Sequence, residues 1–386
     1  MKVNKFFMLA MAGLAMTACS NDDEMGTQLP KGVGAVSVRI VNPSMGRAVG
    51  VGHENAVIVK AKTDVVVALT DDNGTKTYTF KSDVWNSATD RKVKFWNVVN
   101  PKSITVTMNG GAVSYNAENL VDADNLQEVE NVPVYGEVSE SEITLTSQVE
   151  TPNGDHSVGA EAGDKDKTYQ MYTATVKLAI PVARLEVGGI KHVVHTGEGD
   201  DNCKYQTLSI AGVYLDNVVP NGDGVKYQDG VFTNASGTAV DYSFDGEHGT
   251  GVEAILKDAI NEENKNFLTL GAQWPTVEGE VFGYNFFGCE AAKMPKFKIY
   301  FSESVSANPD SPLPSPRYAM ITNYKNADGT QDLDKFEPGK IYRITGAFLD
   351  DKNIIGDENG NTTYGVTVTV EEAQWDPVNI TAEWQE

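Results

Sequence analysis

The chain has 386 residues and a net charge of −23, from 54 acidic and 31 basic side chains. That balance repels nucleic-acid phosphates and anionic lipid and argues against both as partners of the folded surface. Its 40% hydrophobic and 22% charged residues are the proportions of a globular chain, and the length suits two ordinary domains.

The first residues read as a targeting segment. Lys2 and Lys5 precede an apolar run, Phe6 to Met16, which is too short to span a bilayer as a helix and is the length of a signal-peptide core. It ends in "MTACS", which resembles the lipobox of bacterial lipoproteins, with Met16 where leucine is usual. On that reading residues 1–18 are removed and Cys19 is lipidated; the other reading is an ordinary signal peptide with an incidental cysteine. The following "SNDDE" resembles the acidic export signals of some surface lipoproteins. Residues 1–47 hold five basic and three acidic residues, so the net negative charge lies entirely beyond Arg47.

"GAVSVRIV" alternates as a strand does, with Val36, Val38 and Ile40 on one face and Ser37 and Arg39 on the other. "NPSMGRAVGVG" then supplies Pro, Gly and small residues that resist regular structure and leave Arg47 in an extended, accessible stretch. Strand-like runs follow: "NAVIVKAKTDVVVALT", "TKTYTF", "VKFWNVV", "SITVTMNG", "SEITLTSQ" and "YTATVKLAIP". The "DDNG" at residues 71–74 predicts a two-residue hairpin, with Asn-Gly supplying left-handed geometry. Residues 116–129 predict a short helix. A boundary is expected near Pro181, where one strand ends and "VARLEV" begins with Val182, Arg184 and Glu186 on one side and Ala183, Leu185 and Val187 on the other. The same grammar continues to "YGVTVTVEEAQW", with a helical turn expected in "GVEAILKDAI" from the spacing of Val252, Ile255, Leu256 and Ala259. The prediction is an all-β protein with one or two short helices, built as two tandem β-sandwiches.

Catalytic and phosphate-binding signatures are absent from the sequence, and nothing supports an enzyme or a cofactor. His192 and His195 are three apart, which on a strand puts the rings on opposite faces, and the loop from Asp351 fails the calcium-loop pattern at its fifth and twelfth positions, so no metal is expected. Cys203 and Cys289 either pair as a disulfide or remain two buried thiols. Five tryptophans (Trp85, Trp96, Trp274, Trp375, Trp384) either pack in the cores, the favoured reading, or form a platform that stacks on glycans.

Four pieces in order carry a resemblance over essentially the whole chain: "MTAC"; "GRAVGVGHENA" after a strand; "VARLEVGGIK" at the junction; and "PGKIYRI" followed by "VTVTVEEAQW". Together they resemble the fimbrillin family, the major subunits of the protease-assembled (type V) pili of Bacteroidota. The resemblance implies transthyretin-like sandwiches over residues 48–181 and 182–386, after a lipidated (palmitoylated) propeptide at 19–47. It implies a lipoprotein precursor on the outer membrane and a mature form extracellular in fimbriae. An Arg-specific protease would cut Arg47–Ala48, and the leader strand bearing Val36, Val38 and Ile40 would leave. A donor strand within 366–386 of a neighbouring subunit would replace it, through Val366, Val368 and Val370, or alternatively through Val378, Ile380 and Ala382, with Trp384 beyond. The partners implied are other pilin subunits, in a homopolymer with accessory tip and anchor pilins. With both arginine and tail present, a stalk subunit fits best. The alternatives are a monomeric outer-membrane lipoprotein that binds glycans, or a tip or anchor pilin.

Overall fold

The computed structural model describes residues 33–41, 59–88, 91–115, 120, 126–128, 130–152, 156–193, 205–246, 251–260, 266–275, 281–306, 317–326, 331–350, 354, 368–373 and 378–383. It is an all-β structure. The alternating runs before residue 181 form β1 (Val33–Val41), β2 (Val65–Asp71), β3 (Gly74–Phe80), β4 (Arg91–Val99), β5 (Ser103–Met108), β6 (Ser114–Tyr115), β7 (Val134–Ser139), β8 (Thr144–Glu150), β9 (Ser157–Val158) and β10 (Tyr169–Lys177). One sheet has the order β8-β10-β1-β4-β9 and the other β3-β2-β5-β7. Their inward residues meet in one buried core: Val36, Val38, Val93, Phe95, Ala174 and Val176 from the first sheet, Val67, Leu69, Ile104 and Val106 from the second. Strict alternation in β2 and β5 puts every second side chain inward, which is why these short runs settle as strands.

The expected hairpin joins β2 to β3, with Asp71 opposite Gly74. Its left-handed residue is Gly74, at φ 118°, not Asn73. The Asn73 amide instead donates to Asp71 Oδ1 at 2.8 Å, a local bond that closes the turn. A short helix forms at Ser82–Ser87, where none was expected, and buries Trp85. Of the helix expected over 116–129, only residues 120 and 126–128 are described, as turns and a bend; the rest lies outside the described residues.

Beyond residue 181 come β11 (Val182–Gly188), β12 (Ile190–Val193), β13 (Tyr205–Asp216), β14 (Val225–Gln228), β15 (Val231–Phe232), β16 (Lys257–Ala259), β17 (Asn266–Thr269), β18 (Gln273–Trp274), β19 (Val281–Phe287), β20 (Cys289–Glu290), β21 (Lys296–Ser306), β22 (Arg317–Ile321), β23 (Asn323–Asn326), β24 (Lys335–Phe336), β25 (Ile341–Asp350), β26 (Val368–Ala373) and β27 (Val378–Glu383). The main sheet runs β18-β12-β25-β26-β27-β23, with β11 between β25 and β19; a second runs β16-β13-β21-β22, with β17 also on β13. The helical turn expected at Val252–Ala259 is not formed. Lys257–Ala259 instead pair with Gly212–Tyr214 of β13. Val252 and Ala259 are exposed while Leu256 is buried, so the four apolar residues do not share one buried face, and sheet pairing overrides their helical spacing.

β11 forms with the expected alternation, between β19 and β25 in its sheet, and all seven of its residues are buried, so that both of its faces are covered. Arg184 Nε donates to Glu186 Oε1 at 2.8 Å, and Arg343 Nε on β25 donates to Glu186 Oε2 at 2.7 Å. Burial pushes the Glu186 carboxyl up, but the two guanidiniums outweigh it and hold it below the usual carboxylate range.

Backbone pairing and side-chain hydrogen bonds tie the halves together. β6 pairs with β14, and Gln127 exchanges two 2.7 Å hydrogen bonds with the Asn285 backbone on β19.

Candidate functional site

The leader strand spans Val33–Val41, and Val36 and Val38 are 0% exposed and Ile40 5%. Its position is interior. β10 lies parallel on one side, in unbroken register from Gly34 opposite Gln170 to Val41 opposite Lys177. β4 lies antiparallel on the other, with Val36 opposite Phe95, Val38 opposite Val93 and Ile40 opposite Arg91. The Leu178 amide also donates to the Val41 carbonyl at 3.0 Å. Loss of β1 would therefore open a slot with two unpaired edges.

The other face of β1 divides in two. Ser37 is half-buried and Arg39 exposed, as their alternation predicts, but Ala35 is fully buried. It sits with Trp96, Tyr169 and Met171, and Val33 packs against them, in a small cluster separate from the main core. A bulge in β4 makes this possible. Between Gly34 and Val36 the register shifts by one residue, so that Phe95 and Val98 both face the main core while Trp96 turns to the opposite side. Asn97 occupies the left-handed region at φ 54°. Its side chain donates to Gly159 O at 2.7 Å and Asp164 Oδ2 at 2.8 Å, and accepts from Tyr169 Oη at 2.7 Å. Asp164 is further held by Lys167 Nζ at 2.6 Å and the Glu161 amide at 2.8 Å. Lys167, the Glu161 amide and Asn97 hold the Asp164 carboxyl well below its usual range, while burial and Asp164 push the Tyr169 hydroxyl up to about 12. The bulge is thus braced by a charged, hydrogen-bonded loop.

Gly34 is a point of close approach. A Cβ there would lie 2.8 Å from the Gln170 carbonyl oxygen and 2.9 Å from the Tyr172 ring. Sequence reading missed Gly34, Ala35 and the Trp96 cluster. The available signal was a phase slip in "VKFWNVV", where apolar residues fall at 93, 95, 96, 98 and 99 and no single alternation holds.

The C-terminal segment forms two strands; Glu371–Ala373 belong to the first, and residues 374–377 lie outside the described residues. The backbone of β26 carries Val368 and Val370, and that of β27 carries Val378 and Ile380. Both lie in the chain's own second-half sheet: Ile344 opposite Val370, Ala347 opposite Val368, Tyr342 opposite Val378, and Asn326 opposite Ile380. Leader and tail strands are therefore in different sheets. Cys19, Arg47, Ala48, Cys203, Val366, Trp375 and Trp384 lie outside the described residues. Cys289, on β20, is buried, and burial pushes its thiol up to about 12. Trp85, Trp96 and Trp274 are fully buried, which removes these three from any surface platform. Among the described residues no group of three or more His, Cys, Asp or Glu is placed to hold a metal.

No family model matches the chain. Among solved structures, it is similar to a protein of Parabacteroides distasonis assigned to cell adhesion, at 12% identity over 90% of this chain and 98% of that one, with a TM-score of 0.48. A Bacteroides eggerthii protein assigned to cell adhesion matches at 14% identity over 92% and 99%, with a TM-score of 0.45. A fimbrilin of Porphyromonas gingivalis matches at 12% identity over 82% and 90%, with a TM-score of 0.43.

Proposed function

We propose that this chain is a structural pilin, a stalk subunit that polymerises by strand exchange after an Arg-specific protease cuts Arg47–Ala48, and that the polymer serves adhesion. The observation that carries the reading is β1 itself. A strand in the interior of its sheet, with three apolar side chains buried, is followed directly by the segment that bears the single arginine flanked by glycine and alanine. The resemblance of the four sequence pieces to fimbrillins supplies the rest. Cys19 would hold the precursor at the outer membrane until the cut.

An emptied slot is unstable for definite reasons. Each vacated apolar pocket forgoes roughly 1.5–3 kcal/mol, and each unmade main-chain bond roughly 0.5–1.5 kcal/mol. A donor strand from a second copy restores both. Val366, Val368 and Val370 differ from Val36, Val38 and Ile40 by about one methylene, on the order of 1 kcal/mol. The donor is therefore no tighter a ligand than the leader, and irreversible proteolysis gives the exchange its direction. Treatment of the purified precursor with an Arg-specific protease is expected to give an N-terminus at Ala48 and a ladder of stable oligomers. A cleaved chain that stays monomeric overturns the reading.

A further inference from the structure

The bulged end of the slot has requirements that the three apolar pockets do not. Ala35 is fully buried against Trp96, Tyr169 and Met171. The Trp96 and Tyr169 rings have centroids 5.4 Å apart, and the adjoining Asn97 is fixed by Gly159, Asp164 and Tyr169. The cluster therefore has little freedom to widen. Positions 37 and 39 lie on the outward face, half-buried and exposed, and take polar residues, whereas position 35 is fully buried and holds a methyl group. One position earlier, the 2.8 Å approach of the Gln170 carbonyl penalises any side chain at position 34. The slot thus reads a strand as small, apolar, polar, apolar, polar, apolar, beginning at position 35.

We propose that this bulged end sets the register and polarity of the incoming strand, and that it selects the segment of a second copy of this chain in which Gly365 takes the place of Ala35. The inference rests on the strand-exchange reading above. Gly365-Val366-Thr367-Val368-Thr369-Val370 satisfies all six positions. A shift of two residues one way puts Thr367 under Trp96 and Glu372 in the pocket of Ile40; a shift the other way puts Thr363 under Trp96 and Tyr364 in the pocket of Val36. Placing Val378 at position 36 brings Pro377 to position 35, with a ring in place of a methyl and no N–H for the ladder. Reversing the strand brings Glu371 or Glu383 there, a carboxylate against an apolar cluster. In the selected register Tyr364 falls at position 34, so the chain has to leave the sheet at Gly365, where glycine allows the turn.

The test uses the full-length chain processed by the Arg-specific protease, with Cys203→Ser and Cys289→Ala removing the native thiols. Val93, opposite Val38 in the leader pairing, is changed to Cys. It is combined in turn with Val366→Cys, Val368→Cys, Val370→Cys and Ile380→Cys, and the oxidised ladder is read by mass spectrometry. Cross-linking to the Val368→Cys position is expected. A cross-link to 366, 370 or 380 instead overturns the register while leaving strand exchange standing. A full ladder with no cross-link at all overturns the C-terminal donor, and a wild-type chain that forms no ladder overturns the proposed function itself. Separately, Gly365→Leu is expected to abolish the ladder, Gly365→Ala to keep it, and Trp96→Ala to restore it to Gly365→Leu by opening the cluster. An undiminished ladder from Gly365→Leu, with the precursor folded as wild type, overturns the role of the bulged end.

Discussion

The leader strand β1 and the C-terminal strands β26 and β27 are all interior strands of their sheets, but the ladders that hold them differ. β1 runs against β10 without a break from Gly34 to Val41 and keeps its register with β4 from Val36 to Ile40. β26 meets β25 across a register shift between Ile344 and Gly346, and meets β27 only at Val368 opposite Ala382. Regular pairing satisfies every backbone donor and acceptor along a strand, whereas each irregularity leaves some to water. The pairing of β26 is thus the less regular, although β1 has its own shift against β4 between Gly34 and Val36, and β27 pairs with β23 over four residues. On the strand-exchange proposal the leader, bonded on both edges, would stay in place after the cut and would have to be displaced.

If that contrast controls assembly, removing the cut has the largest effect. Arg47→Ala is expected to leave the protein entirely as precursor, with no oligomer ladder on a gel after protease treatment and no N-terminus at Ala48. A ladder from Arg47→Ala would show that the leader leaves without cleavage and that the ladders do not govern the order of events. Deletion of residues 366–386 should abolish the ladder as completely. It should also lower the melting temperature, because it strips β26 and β27 from between β25 and β23. A ladder from the deleted chain would place the donor elsewhere.

Much of the leader was legible because a strand with one buried face shows its period directly in the residues. Val36, Val38 and Ile40 needed nothing beyond alternation. Its interior position was not legible, because parallel and antiparallel neighbours impose the same alternation on the strand they enclose. Ala35 falls on the face of Ser37 and Arg39, and only the β4 bulge, which brings Trp96 to that side, buries it. In "VARLEV" the alternation was legible but the burial of both faces was not, since it depends on distant residues: Arg343, 157 residues away in sequence, completes the neutralisation of Glu186. The tail was legible as two alternating pieces around an acidic interruption. Their docking in the chain's own sheet depends on β25 and β23, which local pattern does not reveal.

The next largest effect separates the two sheets. Glu186→Gln leaves Arg184 and Arg343 without their shared carboxylate, and breaking a buried pair of this kind costs roughly 3–5 kcal/mol. Arg343 is also the β25 residue opposite Asn379 of β27, so the damage falls on the sheet that holds the tail. Because the folded Glu186 carboxyl lies below its unfolded value, its contribution is present at neutral pH. It is lost as the pH falls below about 4, where an unfolded glutamate takes up its proton. Wild type should therefore lose stability on acidification more steeply than Glu186→Gln in denaturant titrations; equal slopes would remove the carboxylate from the account. Val38→Ala acts on the other sheet. It deletes two buried methyl groups at a cost of about 2–3 kcal/mol including the cavity. Leader peptide should dissociate faster from the cleaved protein, followed by gel filtration, and an unchanged rate would mean that the pockets do not retain it.

The smallest effect tests whether close approach, and not only apolar burial, holds the leader. Gly34→Ala adds one carbon where the Gln170 carbonyl oxygen stands 2.8 Å away and the Tyr172 ring 2.9 Å away. The ring can swing, but the carbonyl belongs to β10, so β1 has to draw back at its first paired residue. Overpacking of this degree costs about 1–2 kcal/mol, confined to one end of the strand, while Val36, Val38 and Ile40 keep their pockets. Amide exchange should therefore quicken at Gly34 to Val36 and stay slow at Arg39 to Val41 in the uncut precursor. Uniform quickening along β1 would mean that the strand is released as a unit and that its bulged end has no separate hold on it. A local change would locate the first step of displacement at that end, where the slot is narrowest and an incoming glycine meets the least resistance.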